Sequence, residues 1–197
     1  ILQYLELTQH VRVTHITRLA RIEEDHHVWL DRFTIRNLEL FRSIYEEGHT
    51  LIDVLDRTIS PMGGRLLKRW IALPLKDIYP LEERLDIVQY FYDNGPERKL
   101  LSDYLKQAGD LERIISKVAV NRVMPREMLQ LKTALSTINP VKEICNGSGV
   151  SALRKLSEQF NPCDYVREKI SRELMADPPN ALNRGNIMAN GVSPELD

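Results

Sequence analysis

Residues 50–75, TLIDVLDRTISPMGGRLLKRWIALPL, constrain the fold more than any other part of the sequence, because helix starts and stops follow one another closely there. Thr50 opens a first helix with a weak form of the capping box. Ser60 and Pro61 open a second, since the serine side chain caps the helix and proline lacks only an N–H that would have no partner there. Pro74 ends it, because the residue before a proline avoids the helical region. This junction segment therefore predicts two short, closely joined helices.

The second helix of the junction segment has an apolar half and a basic half, at about 100° per residue. The basic half carries Arg65, Lys68 and Arg69. Gly63 lies among the apolar residues and costs about 1 kcal/mol relative to alanine, so we expect a neighbouring backbone to approach it closely. The pattern predicts a structural hinge, buried between packed helices, that consists of Ser60, Pro61, Gly63, Gly64, Trp70 and Pro74.

Two expectations for this helix concern side chains. Trp70 is expected in the core, where its truncation to alanine would cost about 3–5 kcal/mol. The basic half is expected to be solvated or paired with carboxylates. A weak phosphate contact by Arg65, Lys68 and Arg69 is the alternative.

The remaining pattern predicts a mainly α, irregular multi-helix array, because each helix has one apolar stripe that must find a partner. One long helix is expected over residues 31–47, and the stripe of a later helix consists of Leu81, Leu85, Val88 and Tyr92. Residues 15–30 predict one small β-hairpin near the N-terminus. A short strand is expected at residues 187–189.

Composition limits the function classes. With 197 residues, 43% of them apolar and 28% charged, the chain is typical of a soluble globular protein. A net charge of −1 argues against strong non-specific binding of nucleic acid by this chain alone, but not against membership of a DNA-binding assembly. There is no apolar run of membrane-spanning length. Cys145 and Cys163 are expected to be reduced thiols. Without an initiating methionine, the chain is expected to be a piece of a longer protein.

No sequence motif for catalysis, cofactor binding or metal binding is present. The phosphate-binding loop GxxxxGK[ST], the dinucleotide motif GxGxxG, HExxH, CxxC and GxSxG are all missing. His26 and His27 are adjacent on a polar turn and make poor metal chelators without further ligands. From residues alone, we expect a helical scaffold or interaction module without its own active site, so catalytic, cofactor and metal residues are predicted to be none.

Four stretches resemble one family: LDRFTIRNLELF at residues 30–41, the whole junction segment, ERLDIVQYF at residues 83–91 and DLERIISKVAVNRVMPREMLQL at residues 110–131. In order and spacing they resemble the core of MutS DNA mismatch repair proteins. The stretch LQYLELTQ resembles the end of the connector that precedes the core, and GVSPELD resembles the opening of the clamp. The resemblance divides the chain into residues 1–14 (end of the connector region and a helix leading into the core), 15–190 (core or lever domain, helices over 31–176) and 191–197 (start of the clamp insertion).

The resemblance implies a mechanical role. MutS proteins are dimers that encircle DNA, find mispairs and use ATP to become sliding clamps, and the lever domain joins the ATPase to the clamp. The implied partners of the longer protein are mismatched double-stranded DNA, a second MutS subunit and MutL. Its implied cofactors are ATP and Mg²⁺, with none held by this chain, and the implied location is the bacterial cytoplasm, at the nucleoid when acting. No mispair-reading or ATPase residue can be carried over, since no position matches those motifs.

Two alternatives remain open at this point. The chain could come from a MutS relative that does not act in mismatch repair, although the connector-like start favours the repair type. It could also be an unrelated helical scaffold that binds proteins. An exposed apolar helix stripe would favour the scaffold, yet the same exposure is expected where other MutS domains would pack.

Overall fold

A computed structural model of the chain describes residues 2–7, 26–180 and 185–192, and within these it is mainly helical. This confirms the predicted mainly α class. The described helices are α1 (Leu2–Leu7), α2 (Arg32–Asn37), α3 (Leu51–Leu55), α4 (Pro61–Ala72), α5 (Ile78–Asp93), α6 (Gly95–Ala108), α7 (Leu111–Ala119), α8 (Pro125–Ser136), α9 (Ile138–Gly147), α10 (Ser151–Glu158) and α11 (Asp164–Glu173). Extended pairing in the described residues is limited to two isolated antiparallel bridges.

The main apolar core lies between α7, α8 and α11. Its buried residues are Ile114, Leu131, Leu135 and Ile170, each no more than 7% exposed. Leu131 and Leu135 are four residues apart, so they lie on one face of α8. Ile114 of α7 and Ile170 of α11 belong to the same cluster. The polar rim supports the same packing, because Lys117 on α7 forms an ion pair with Glu127 on α8.

The helices α9 and α10 pack against each other beside this core. Cys145, Ala152 and Leu153 are buried there. Ser157 is fully buried, and its hydroxyl donates to the carbonyl of Arg154 at 2.7 Å, so this buried donor has a partner. This end of the molecule is therefore built from apolar contacts with satisfied polar groups.

The long helix expected over residues 31–47 is wrong beyond Asn37. Asp31 caps α2 as its sequence position predicts, by accepting from the Thr34 N–H at 2.6 Å. The helix then ends because Glu39 adopts a left-handed conformation with φ of 48°. The N–H of Leu40 donates to the carbonyl of Ile35. This bond closes residues 35–40 into a Schellman turn, which commonly ends helices and usually has a glycine at the left-handed position. In the sequence, apolar residues continue at helical spacing beyond Asn37, so this pattern did not indicate the turn.

The predicted hairpin over residues 15–30 is not found in the described residues. Its first arm and most of its turn, residues 15–25, lie outside them. The end of the turn and the second arm are described and pair elsewhere: His27 forms an antiparallel bridge with Leu75, and the Val28 N–H donates to the Pro74 carbonyl at 2.7 Å. The expected strand at residues 187–189 is reduced to one bridge between Met188 and Leu174.

The apolar stripe predicted for α5 faces outward. The side chains of Leu85, Val88 and Tyr92 are between 63% and 75% exposed. The helix instead contacts α6 and α10, and Lys155 of α10 forms an ion pair with Glu83. The sequence pattern located the apolar face of the helix correctly, but no described element covers that face.

Candidate functional site at the α3–α4 junction

The helix α3 begins with the capping box that the sequence predicts. The Thr50 hydroxyl accepts from the Asp53 N–H at 3.2 Å, and the Asp53 carboxylate accepts from the Thr50 N–H at 3.0 Å. Thr50 is only 5% exposed, so this cap is held within the structure. The bonds from the Thr50 side chain and backbone also hold the pKa of Asp53 below its usual range. The start of α3 is thus fixed by local polar bonds.

The turn between α3 and α4 is held in the same way. The Asp56 carboxylate accepts from the Thr58 hydroxyl at 2.6 Å and from the Thr58 N–H at 3.0 Å, which lowers the pKa of Asp56. Ser60 caps α4 by accepting from the Gly63 N–H at 3.1 Å, and Pro61 occupies the first helical position. Both features agree with the sequence prediction.

The two glycines of α4 make room for this turn. A Cβ on Gly63 would lie 3.3 Å from the Ser60 hydroxyl oxygen and 3.4 Å from the Thr58 Cβ, and one on Gly64 would lie 3.2 Å from the Thr58 hydroxyl oxygen. The nearest atoms are therefore side chains of the preceding turn. The expectation that a neighbouring backbone approaches Gly63 is wrong, because the turn folds its own side chains over the start of α4.

Arg65 connects α4 to the start of α7. Its guanidinium donates to both oxygens of the Asp110 carboxylate at 2.6 and 3.0 Å, and to Glu112 at 2.6 and 2.9 Å. These bonds, to Asp110 first, raise the pKa of Arg65, and those from Arg65 lower the pKa of Asp110. Asp110 also accepts from the Arg113 N–H at 3.2 Å as the cap of α7. One carboxylate thus joins two helices.

The predicted basic face is divided by these contacts. Arg65 is engaged with two carboxylates, whereas Lys68 is exposed near Asp53 and Asp56, whose pKa values its charge helps to lower. Arg69 instead lines a small cleft together with Trp70. The structure does not bring the three basic side chains to one point. A weak phosphate contact by Arg65, Lys68 and Arg69 stays a prediction.

The core position predicted for Trp70 is wrong. Its side chain is 39% exposed, and no residue of α4 is buried. The guanidinium carbon of Arg84, on α5, lies 3.7 Å from the centre of the Trp70 ring, which is a cation–π contact. Burial against the ring lowers the pKa of Arg84. Helical periodicity identified the apolar side of α4, on which Trp70 lies. The Trp70 ring is covered by the long side chain of Arg84 and not by the apolar face of another helix.

The C-terminal end of α4 is attached to residues 26–28. Beyond Pro74, which follows the end of α4 as predicted, the Lys76 N–H donates to the His26 carbonyl at 3.2 Å. The His26 ring nitrogen Nδ1 lies 2.7 Å from an Asp77 carboxylate oxygen. Together with the His27–Leu75 bridge, these bonds tie the chain before α2 to the chain after α4.

The contacts of this site join α4 to three other parts of the chain. Arg65 of α4 is bound to the start of α7, and Trp70, near the end of α4, contacts Arg84 of α5. The chain that follows α4 is bonded to residues 26–28. Among the described residues, no group of three or more His, Cys, Asp or Glu side chains could hold a metal ion. In the same residues, no helix is both long and apolar enough to cross a membrane.

Comparison with known proteins identifies the family. The sequence profile of MutS domain III matches residues 33–191. The chain belongs to the MutS domain III family. The DNA mismatch repair proteins MutS of Parabacteroides distasonis and Phocaeicola vulgatus are each 53% identical to it over all 197 residues, and that of Cytophaga hutchinsonii is 50% identical. The chain spans 23% of the length of each of these relatives.

The match confirms the resemblance seen in the sequence and the helical nature of this MutS domain III segment. Sequence reasoning missed two of the contacts that hold α4. Asp110 has a residue type that caps helices, but the sequence did not identify it as the partner of Arg65, and Arg84 was not singled out at all. An acidic cap followed by Glu112 was a usable signal for an arginine partner, whereas nothing in the sequence near Arg84 indicated Trp70.

Proposed function

We propose that this chain is the lever segment of a MutS-type DNA mismatch repair protein and that α4 transmits movement through it. The observation that carries the proposal is that Arg65 of α4, and the residues just after α4, are attached to parts of the chain that are distant in sequence. Arg65 reaches Asp110, 45 residues away, and the Pro74 carbonyl accepts from the Val28 N–H, 46 residues away. A displacement of either attached part therefore acts on the same short rod.

The physical properties of α4 support this role. Twelve helical residues form a stiff rod about 18 Å long. Its attachments are ion pairs, one cation–π contact and backbone bonds rather than a close-packed apolar interface. Directional polar contacts can exchange between two discrete arrangements more readily than an interlocked core, which suits a shear or hinge movement.

The remaining properties belong to the longer protein and are part of the same proposal. We infer that the longer protein is an ATPase that uses ATP and Mg²⁺, binds mismatched double-stranded DNA, and works with a second MutS subunit and MutL. The division into connector end (1–14), lever (15–190) and clamp start (191–197) is retained as a proposal, as is a cytoplasmic, nucleoid-associated location. The printed names of the relatives, DNA mismatch repair protein MutS, support the repair role.

The test is a Gly63→Leu variant of the longer protein. A leucine at this position would push against Thr58 and Ser60 and disturb the turn that seats α4. We expect slower ATP-triggered release from mismatched DNA, measured by surface-bound oligonucleotide dissociation, with unchanged ATP hydrolysis in the absence of DNA.

The matched control is Gly147→Leu, at the end of α9, where an added Cβ meets nothing within 4 Å. This variant introduces the same side chain into another helix and is expected to release DNA at the normal rate. Normal release by the Gly63→Leu variant, with its fold intact by circular dichroism, would contradict the lever role of the junction.

A further inference from the structure

A basic cleft lies beside α2, away from the α4 site. It has a volume of about 720 Å³ and is lined by Arg32, Phe33, Ile35, Arg36, Phe41, Arg42, Ser43 and Ile44. Cavities that bind small organic ligands commonly have volumes of about 300–1,000 Å³. The cleft is therefore large enough for a ligand of several rings or groups.

The local fold brings the three arginines of the cleft together. Arg32 and Arg36 are four residues apart on α2, so they lie on the same face of the helix. Beyond the left-handed residue Glu39, which ends α2, Arg42 lines the same cleft. The turn that ends α2 early is thus also what completes the cleft.

No carboxylate in the described part of the chain pairs with these arginines. Within the described residues, the guanidinium groups of Arg32, Arg36 and Arg42 make no hydrogen bond or ion pair, and no acidic side chain lines the cleft. The two nearest carboxylates in sequence bond to other groups: Asp31 accepts from the Thr34 N–H, and Glu39 accepts from the Ile44 N–H at 3.0 Å and from the Ser43 hydroxyl at 3.4 Å, at the edge of the cleft. Converging like charges repel one another, so the cleft favours an anionic ligand.

The cleft also offers aromatic surface. Phe33 is 75% exposed, and Phe41 lines the same space. Arginines bind phosphate groups through their planar, forked donors, and an exposed aromatic ring stacks on a nucleobase. An acidic peptide would use the arginines but would leave the ring of Phe33 without a partner.

We propose that this cleft binds a nucleotide, with its phosphate groups on Arg32, Arg36 and Arg42 and its base stacked on Phe33. The nucleotide is either free or a unit of a single-stranded nucleic acid, since both present a phosphate next to a base. The proposal goes beyond the lever role of α4 and does not depend on it, because the cleft shares no residue with the junction segment.

The test titrates the 197-residue chain at low ionic strength with ADP, and separately with a fluorescein-labelled ten-residue oligothymidylate. Saturable binding of at least one ligand is expected. Arg36→Gln and Arg42→Gln are each expected to weaken that binding by about tenfold, since each removes charge-assisted hydrogen bonds. Phe33→Ala is expected to weaken it by about tenfold through loss of stacking, while binding of pyrophosphate is unchanged.

The matched control is Arg122→Gln, which removes the same charge from an exposed position outside the cleft. It is expected to leave binding unchanged, and circular dichroism melting checks that every variant is folded. Absence of saturable binding to both ligands, or an equal loss in Arg122→Gln, overturns the proposal. Unchanged ADP binding in folded Phe33→Ala overturns the nucleotide assignment in favour of a bare oxyanion. Tighter binding of a polyglutamate peptide overturns it in favour of an acidic segment.

Discussion

The part of the molecule from residue 26 to residue 77 and the part formed by α6–α11 are stabilised differently. The first part contains two buried apolar side chains, Leu40 and Ile52, and is held mainly by caps, ion pairs and backbone bonds. The second contains the core of Ile114, Leu131 and Ile170 with its surrounding helices. Apolar burial is the larger stabilising term in folding, so the second part is expected to dominate stability and the first to respond more readily to solution conditions.

The largest expected effect is at Leu131. Its side chain is 4% exposed within the core between α7, α8 and α11. We expect Leu131→Ala to lower the free energy of unfolding by about 3–5 kcal/mol, because it removes buried methyl groups and leaves a cavity. Urea denaturation followed by circular dichroism measures this. A loss below about 1 kcal/mol would mean that the core of the second part does not carry the stability assigned to it.

A smaller loss is expected for Trp70→Ala. Because the ring is 39% exposed and covered by Arg84, we expect a loss of about 2 kcal/mol, not the larger value of a fully buried tryptophan. The control Arg84→Met keeps most of the aliphatic stem over the ring and removes the cation, and is expected to cost about 0.5–1 kcal/mol. A loss from Trp70→Ala as large as that from Leu131→Ala would remove the distinction between the two parts.

Asp110 joins the two parts, so its substitutions test the boundary. We expect Asp110→Ala to cost about 1 kcal/mol through loss of the α7 cap. Asp110→Asn keeps a capping side chain and removes the charge that Arg65 needs, so it is expected to cost less and to make unfolding less sensitive to salt. Denaturant melts at low and high ionic strength measure both. Identical salt dependence in wild type and Asp110→Asn would show that the Arg65 pair adds nothing to stability.

Acid is expected to loosen the first part before the second. The native pKa values of Asp53 and Asp56 in the first part, and of Asp110 at the boundary, lie below those of the unfolded chain, so their stabilising contributions are present above about pH 4 and are lost as pH falls through the native pKa values. The bond from Lys117 lowers the pKa of Glu127 in the second part as well, but the apolar core there does not titrate. Both tryptophans, Trp29 and Trp70, lie in the first part.

Tryptophan fluorescence therefore reports the first part, whereas far-ultraviolet circular dichroism reports mostly the longer helices of the second. In an acid titration we expect the fluorescence transition at the higher pH. Coincident transitions would mean that the two parts unfold as a single cooperative unit. Asp110→Asn serves as the comparison variant, since one of the titrating groups is then missing.

The smallest effect is expected for Leu85→Ala, which makes the same substitution as Leu131→Ala on a side chain that is 65% exposed. We expect a change within about 0.5 kcal/mol. The pair of leucine variants compares covered and uncovered apolar faces directly. A loss above about 2 kcal/mol at Leu85 would show that the α5 stripe is covered in solution, as its sequence pattern predicts.

The sequence by itself determined where several helices begin and how they are capped. The caps at Thr50, Ser60 and Asp110 and the helix starts at Pro61 and Pro125 all lie where their residue types predict them. Each depends on a hydrogen bond or a steric clash within about three residues, so the information needed is local. The same stretches also carried the resemblance to MutS, which the match to residues 33–191 confirmed.

Only the tertiary structure decided which face of a helix is covered and by what. Periodicity marked the apolar sides of α4 and α5, yet Trp70 is covered by an arginine and Leu85 is exposed. The partner of Arg65 lies 45 residues away. The early end of α2 depends on the left-handed conformation of Glu39, at a position where the sequence has no glycine to indicate it. Contacts between distant residues depend on the arrangement of whole helices, so a pattern within one helix predicts that a face is apolar but not what covers it.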